Sequence, residues 1–145
     1  MRKMLAILAA GSAAITLSAC ETIAEETQPT LNADLRGAAE VPGPGDPDGD
    51  GGAEVSIADA LDSICYEIDV VGLDAITAAH IHRGVAGVAG PPVVTLQAPT
   101  DGHSEECTGI DGGLADEIRQ NPGAFYVNVH TSAYPDGAIR GQLMN

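Results

Sequence analysis

Short runs of strictly alternating apolar and polar residues, cut apart by segments rich in proline and glycine, constrain this chain more than any other feature. Ile64, Tyr66, Ile68 and Val70 share one face of such a run, and Cys65, Glu67 and Asp69 the other. The same period of two sets Val55 and Ile57 opposite Glu54 and Ser56, and Ala79 and Ile81 opposite His80 and His82. It recurs in Phe125, Val127 and Val129 against Tyr126, Asn128 and His130. Successive side chains of a strand point to opposite faces, so this period belongs to half-buried strands. Residues 93–96 and 138–143 complete the set, and breaks are expected at 42–52, 84–92 and 99–113. Only residues 114–120 read as helix, stopped by Asn121-Pro122-Gly123. Six or seven short strands of this kind predict an all-β domain. The expected architecture is an antiparallel, Greek-key-like sandwich or barrel with one short helix.

The first nineteen residues stand outside that pattern. Arg2 and Lys3 precede an apolar run from Met4 to Leu17 that is too short for a permanent membrane span and reads as an export signal. It closes on Leu17-Ser18-Ala19-Cys20, which resembles a bacterial lipobox. Residues 1–19 are therefore expected to be a lipoprotein signal peptide, and Cys20 the lipidated first residue of the mature chain. A plain signal peptide with a chance cysteine is the alternative. Residues 20–30, polar and carrying Pro29, read as a tether, and 31–145 as the folded domain. Glu21 after the cysteine resembles the pattern that permits passage to an outer membrane. The expectation is an exported protein anchored to the membrane through Cys20, facing the periplasm or lying at the outer membrane or cell surface.

Charge narrows the partners. The formal net charge is −15, and loss of Arg2 and Lys3 with the signal leaves −17. Aromatic residues are only 3% of the chain. A nucleic-acid binder needs a basic surface and stacking rings, so that class is excluded. Phosphate-bearing substrates are repelled by the same field, whereas cations are attracted. Cys65 and Cys107 remain once Cys20 is assigned to lipid, and an even pair in an oxidising compartment predicts a disulfide. Closing the loop between them stabilises the fold by about 4 kcal/mol on the chain-entropy model. Free thiols or soft metal ligands are the alternatives, though the spacing is not that of a CxxC site.

Two groups of residues invite a metal reading. Asp46, Asp48 and Asp50 alternate before Gly51 in the D-x-D-x-D-G spacing that opens calcium loops. Position twelve of such a loop is Ile57 here rather than Glu, and a solvated hairpin connection accounts for the same residues. The histidines carry more information. His80 and His82 are two apart on a strand and project to one side, opposite the inward Ile81. His130 lies on the face opposite Val127 and Val129 of a later strand. Three imidazoles converge if those strands are neighbours, and imidazoles without thiolates suit copper, zinc or nickel. His103, near Cys107, is a candidate fourth ligand. Arg140, placed near His130 by a turn at Tyr134-Pro135-Asp136-Gly137, either pairs with a carboxylate or orients an anion.

These residues together resemble the CHRD domain, named after chordin. The resemblance rests on Leu35-x-Gly37-x-x-Glu40-Val41-Pro42, Gly45-Asp46-Pro47-Asp48-Gly49, Cys65-Tyr66 and Ala78-Ala79-His80-Ile81-His82-Arg83-Gly84. It continues through Gly90-Pro91-Pro92-Val93-Val94, Asn121-Pro122, Tyr126-Val127-Asn128-Val129-His130-Thr131 and Gly137-Ala138-Ile139-Arg140-Gly141-Gln142-Leu143. It implies a β-sandwich in a secreted or anchored protein and no settled activity. A more distant likeness is to copper–zinc superoxide dismutases, which are Greek-key barrels with one disulfide. Their copper ligands and guiding arginine follow the order of His80, His82, His103, His130 and Arg140, and no set of zinc ligands accompanies them here.

Three functional classes result. The first is a binding module, an envelope domain holding a copper-type ion (copper ahead of zinc) on His80, His82 and His130. The second is a structural or protein-interaction domain that meets an envelope protein and whose histidines are incidental. The third is a copper-dependent, dismutase-like oxidoreductase with Arg140 as anion guide. Binding ranks first and the enzyme third, and hydrolase chemistry has no GxSxG element to support it.

Overall fold

The computed structural model describes residues 29–58 and 61–145. The signal peptide, Cys20 and most of the tether therefore lie outside the described residues. Eight strands form one antiparallel sheet: β1 (Leu31–Arg36), β2 (Asp50–Ala58), β3 (Ser63–Val71), β4 (Ile76–Arg83), β5 (Pro92–Leu96), β6 (His103–Gly109), β7 (Phe125–Thr131) and β8 (Ile139–Gln142). Their order across the sheet is β5-β4-β7-β8-β1-β2-β3-β6. The sheet curls until its two ends approach: the Gln97 N–H, just beyond β5, donates to the Tyr66 hydroxyl of β3 at 2.6 Å. The result is a nearly closed barrel or sandwich, and the all-β expectation holds.

Period-two alternation builds the core. Leu31 and Leu35 of β1, Val55 of β2, Ile64 and Ile68 of β3, Ile81 of β4 and Val127 and Val129 of β7 all point inward and are buried. Each fully buried aliphatic or aromatic side chain is worth about 1.5–3 kcal/mol of transfer free energy, which fixes the register of the strands that carry such residues. A one-residue slip in β4 would exchange Ile81 for two imidazoles in the core. The helix α1 (Gly112–Gln120) contributes Ala115 and Ile118 to the core. It begins where the Asp111 side chain accepts the Gly113 and Leu114 N–H groups, at 3.0 and 3.2 Å. Arg83 at the end of β4 pairs with Glu117 of α1 and lies over the Phe125 ring.

The structure corrects the strand inventory. The described residues form eight strands rather than six or seven, because β1 and β6 were not among the expected runs. β6 lies in the middle of the expected 99–113 break, β2 begins inside the 42–52 break, and α1 starts two residues early. The Cys65–Cys107 disulfide is present, and the two cysteines are directly opposite one another in the β3–β6 register.

Candidate metal centre

Strands β4, β7 and β8 are adjacent in the sheet, and their outer face is polar. The register sets His80 against Asn128 and His82 against Tyr126 between β4 and β7, and Asn128 against Arg140 between β7 and β8. All of these side chains point away from the core, yet most are buried. Two connections cover them: residues 84–91 between β4 and β5, and the segment around Glu40 between β1 and β2. A polar layer roofed by loops is therefore built onto the outside of an ordinary sheet.

Within it the three histidines converge as the spacing predicted. His80 Nδ1 lies 3.1 Å from His130 Nε2. One ligand atom from each of His80, His82 and His130 can be chosen so that all lie within 4.8 Å of one another. His82 Nδ1–H donates to the Gly90 carbonyl at 2.8 Å, and His130 Nδ1–H donates to the Pro135 carbonyl at 2.9 Å. A carbonyl accepts and never donates, so both rings carry a proton on Nδ1, and in the neutral ring Nε2 is the bare nitrogen. His80 Nδ1–H then satisfies His130 Nε2. His82 Nε2 is buried with no hydrogen-bond partner.

Electrostatics disfavour the protonated forms of His80 and His82. Burial, then the neighbouring His130 and His82, hold His80 below the usual imidazole range. Burial also lowers His82, against the Gly90 carbonyl, which raises it, and with His130 and Arg140, which lower it further. Unprotonated imidazole is the ligating form.

The polar layer continues past the histidines. The Tyr126 ring is stacked on His82, with centroids 4.9 Å apart and planes at 13°, and the Arg140 guanidinium lies 3.4 Å from the Tyr126 centroid. Arg140 is only 2% exposed and donates to the carbonyls of Val85 and Val88, each at 3.0 Å. It is thus not open to a solvent-borne anion, and the anion-guide expectation meets a guanidinium roofed by the 84–91 loop. Glu40, 6% exposed, accepts from Asn128 Nδ2 and feels the Arg140 charge. The sequence reading gave no role to Glu40, Tyr126 or Gly90. Their one signal was membership of the motifs that carry the family resemblance.

The other candidates lie elsewhere. His103 sits on β6, at the far edge of the sheet, where its Nδ1 meets Asp69 Oδ1 at 2.9 Å. Hydrogen bonding to Asp69 raises its basicity, against a small effect of burial and with the charges of Asp69, Glu67 and Glu105. It therefore does not join the other three as a fourth ligand. It belongs instead to an exposed group with Glu67 and Asp69. Asp46, Asp48 and Asp50 do not gather: Asp46 Oδ1 accepts the Asp48 N–H at 3.0 Å in a local turn, and Asp50 pairs with Arg36. Among the described residues, the three aspartates are in neither donor group.

Fold and site together define a disulfide-stapled all-β domain with an imidazole cluster on its outer face. The chain belongs to the CHRD family, whose domain model matches residues 31–143. No curated protein and no solved structure matches the chain. Among the described residues, no helix is long and apolar enough to cross a membrane.

Proposed function

We propose that the chain is a lipid-anchored envelope protein whose CHRD domain binds one copper-type ion through His80, His82 and His130. The observation that carries the reading is the pair of Nδ1–H bonds to Gly90 O and Pro135 O. They turn two Nε2 lone pairs inward, one of them buried and unpartnered. Backbone carbonyls on the far nitrogen are the usual outer partners of metal-bound histidine. A separation of 3.1 Å between His80 Nδ1 and His130 Nε2 corresponds to roughly 100° at an ion about 2.0–2.1 Å from each nitrogen. Binding would replace the proton shared by those two rings and shift His80 to its Nε2–H tautomer. Three imidazoles and no thiolate favour Cu(II) over Zn(II) on intrinsic affinity. The negative field of the domain concentrates cations near it. Burial of Arg140 weighs against the dismutase-like alternative.

Metal analysis of the purified mature protein, loaded with copper or zinc and desalted, tests the reading beside a His80→Ala/His82→Ala variant. About one copper per wild-type chain and none in the variant is expected. No retained metal in either overturns the metal centre and leaves a protein-interaction domain as the reading to pursue. Anchoring rests on the Leu17-Ser18-Ala19-Cys20 motif. Cys20→Ser is expected to move the protein from the membrane fraction to the soluble one, and an unchanged distribution would refute the anchor.

A further inference from the structure

The geometry points to Arg140 and Tyr126 as positioning residues that set the tautomer and aim of His82 by clamping the 84–91 loop. This rests on the metal reading only for its purpose; the clamp itself is a matter of hydrogen bonds. Four links close a ring. Arg140 donates to Val85 O and Val88 O, at 3.0 Å each. The Gly90 N–H donates to the Tyr126 hydroxyl at 3.1 Å, and that hydroxyl lies 3.4 Å from Gly90 O. Gly90 O accepts from His82 Nδ1 at 2.8 Å. The ring of Tyr126, on the strand between, stacks against His82 and lies beneath the guanidinium.

The base of the loop is equally tight. The Arg83 N–H donates to Pro91 O at 3.0 Å and the Gly84 N–H to Ala124 O at 2.8 Å. A Cβ at Gly90 would collide with the Arg83 carbonyl, so only glycine fits there. The carbonyl that selects the His82 tautomer is therefore held from both sides. Which ring nitrogen of a histidine ligates is set by the hydrogen bond that the other one makes. A buried arginine with two donors spent on loop carbonyls is the kind of planar fork that lysine cannot reproduce.

The test uses metal-free, ¹⁵N-labelled protein at pH 8, with long-range imidazole ¹H–¹⁵N spectra of wild type, Arg140→Lys and Tyr126→Phe. Wild type is expected to show His82 protonated at Nδ1 alone. Both variants are expected to show His82 with mixed or exchange-averaged tautomers, while His130, tied to Pro135, stays as it was. A general loss of stability would not single out one ring in this way. Tyr126→Phe removes only a hydroxyl, so it decides the matter even if Arg140→Lys does not fold. An unchanged His82 tautomer in the folded variants overturns the clamp. Where wild type binds copper, the variants are expected to bind it 10- to 100-fold more weakly with an altered paramagnetic spectrum; undiminished affinity overturns the clamp's role in metal binding. A wild type that retains no copper refutes the metal reading alone, because the tautomer spectra still judge the clamp.

Discussion

At the scale of single residues, the polar layer exacts its cost at Glu40. Burial pushes this carboxyl from 4.5 to about 7, although the Val41 N–H, the Arg140 charge and Asn128 all favour its ionised form. Desolvation outweighs three favourable partners because the carboxyl is enclosed by the β1–β2 and β7–β8 connections. A Cβ at Gly137, whose φ is +146°, would stand 2.5 Å from Glu40 Oε2. A carboxyl whose folded value lies above its unfolded one stabilises the fold fully below about pH 4.5. That contribution is lost as pH rises through about 7. The shift corresponds to about 3 kcal/mol of stability lost across the window. Urea unfolding of wild type and Glu40→Gln between pH 4 and 8.5 isolates it, since the oppositely signed effects of His80 and His82 are common to both proteins. The difference between the two proteins is expected to change by that amount, with the glutamine variant gaining relative stability at high pH. Parallel profiles would show that Glu40 titrates normally.

At the scale of elements, what could be read from the sequence followed from which strands face the core. β3, β4 and β7 alternate because one face of each packs into the apolar core, and in β4 and β7 that alternation places His80, His82 and His130 on the other face. The site was legible to that extent. The tautomer of His82 was not, because it depends on where a nine-residue break carries the Gly90 carbonyl. β1 does alternate, Leu31, Ala33 and Leu35 against Asn32, Asp34 and Arg36, but Ala, Asn and Asp are poor strand formers and weaken the signal. β6 gave no signal at all. It is an edge strand, His-Ser-Glu-Glu-Cys-Thr-Gly, in which only Ser104 is buried. Its attachments are the ladder to β3 and the disulfide, both invisible to hydrophobic periodicity. This makes β6 the element most dependent on Cys65–Cys107. Replacing both cysteines by serine should remove about 4 kcal/mol for a separation of 42 residues. Amide exchange of 103–109 should accelerate more than that of β7. Uniform acceleration across the sheet would mean that β6 is no looser than the rest.

At the scale of the whole molecule, charge is distributed against stability. The register aligns Glu54 of β2, Glu67 of β3 and Glu105 of β6 as direct cross-strand neighbours on the outer face. Like charges placed opposite one another destabilise a sheet by a fraction of a kcal/mol per pair. The arginines of the described residues are engaged elsewhere: Arg36 with Asp50, Arg83 with Glu117, Arg119 with Asp116, and Arg140 beneath the 84–91 loop. His103 faces Asp69. The three glutamates therefore repel one another within a chain of net charge −15. Glu67→Lys sets a cation between Glu54 and Glu105, so its effect reads the local field directly. At about 10 mM salt, where the Debye length is about 30 Å, the variant should be more stable than wild type by about 0.5–1 kcal/mol. At 1 M salt, where that length is about 3 Å, the gain should largely vanish while wild type itself becomes more stable. Thermal unfolding of both proteins across that range measures it. A gain independent of salt would assign the effect to β-propensity or packing, and no gain at low salt would show that the row is already neutralised by solvent.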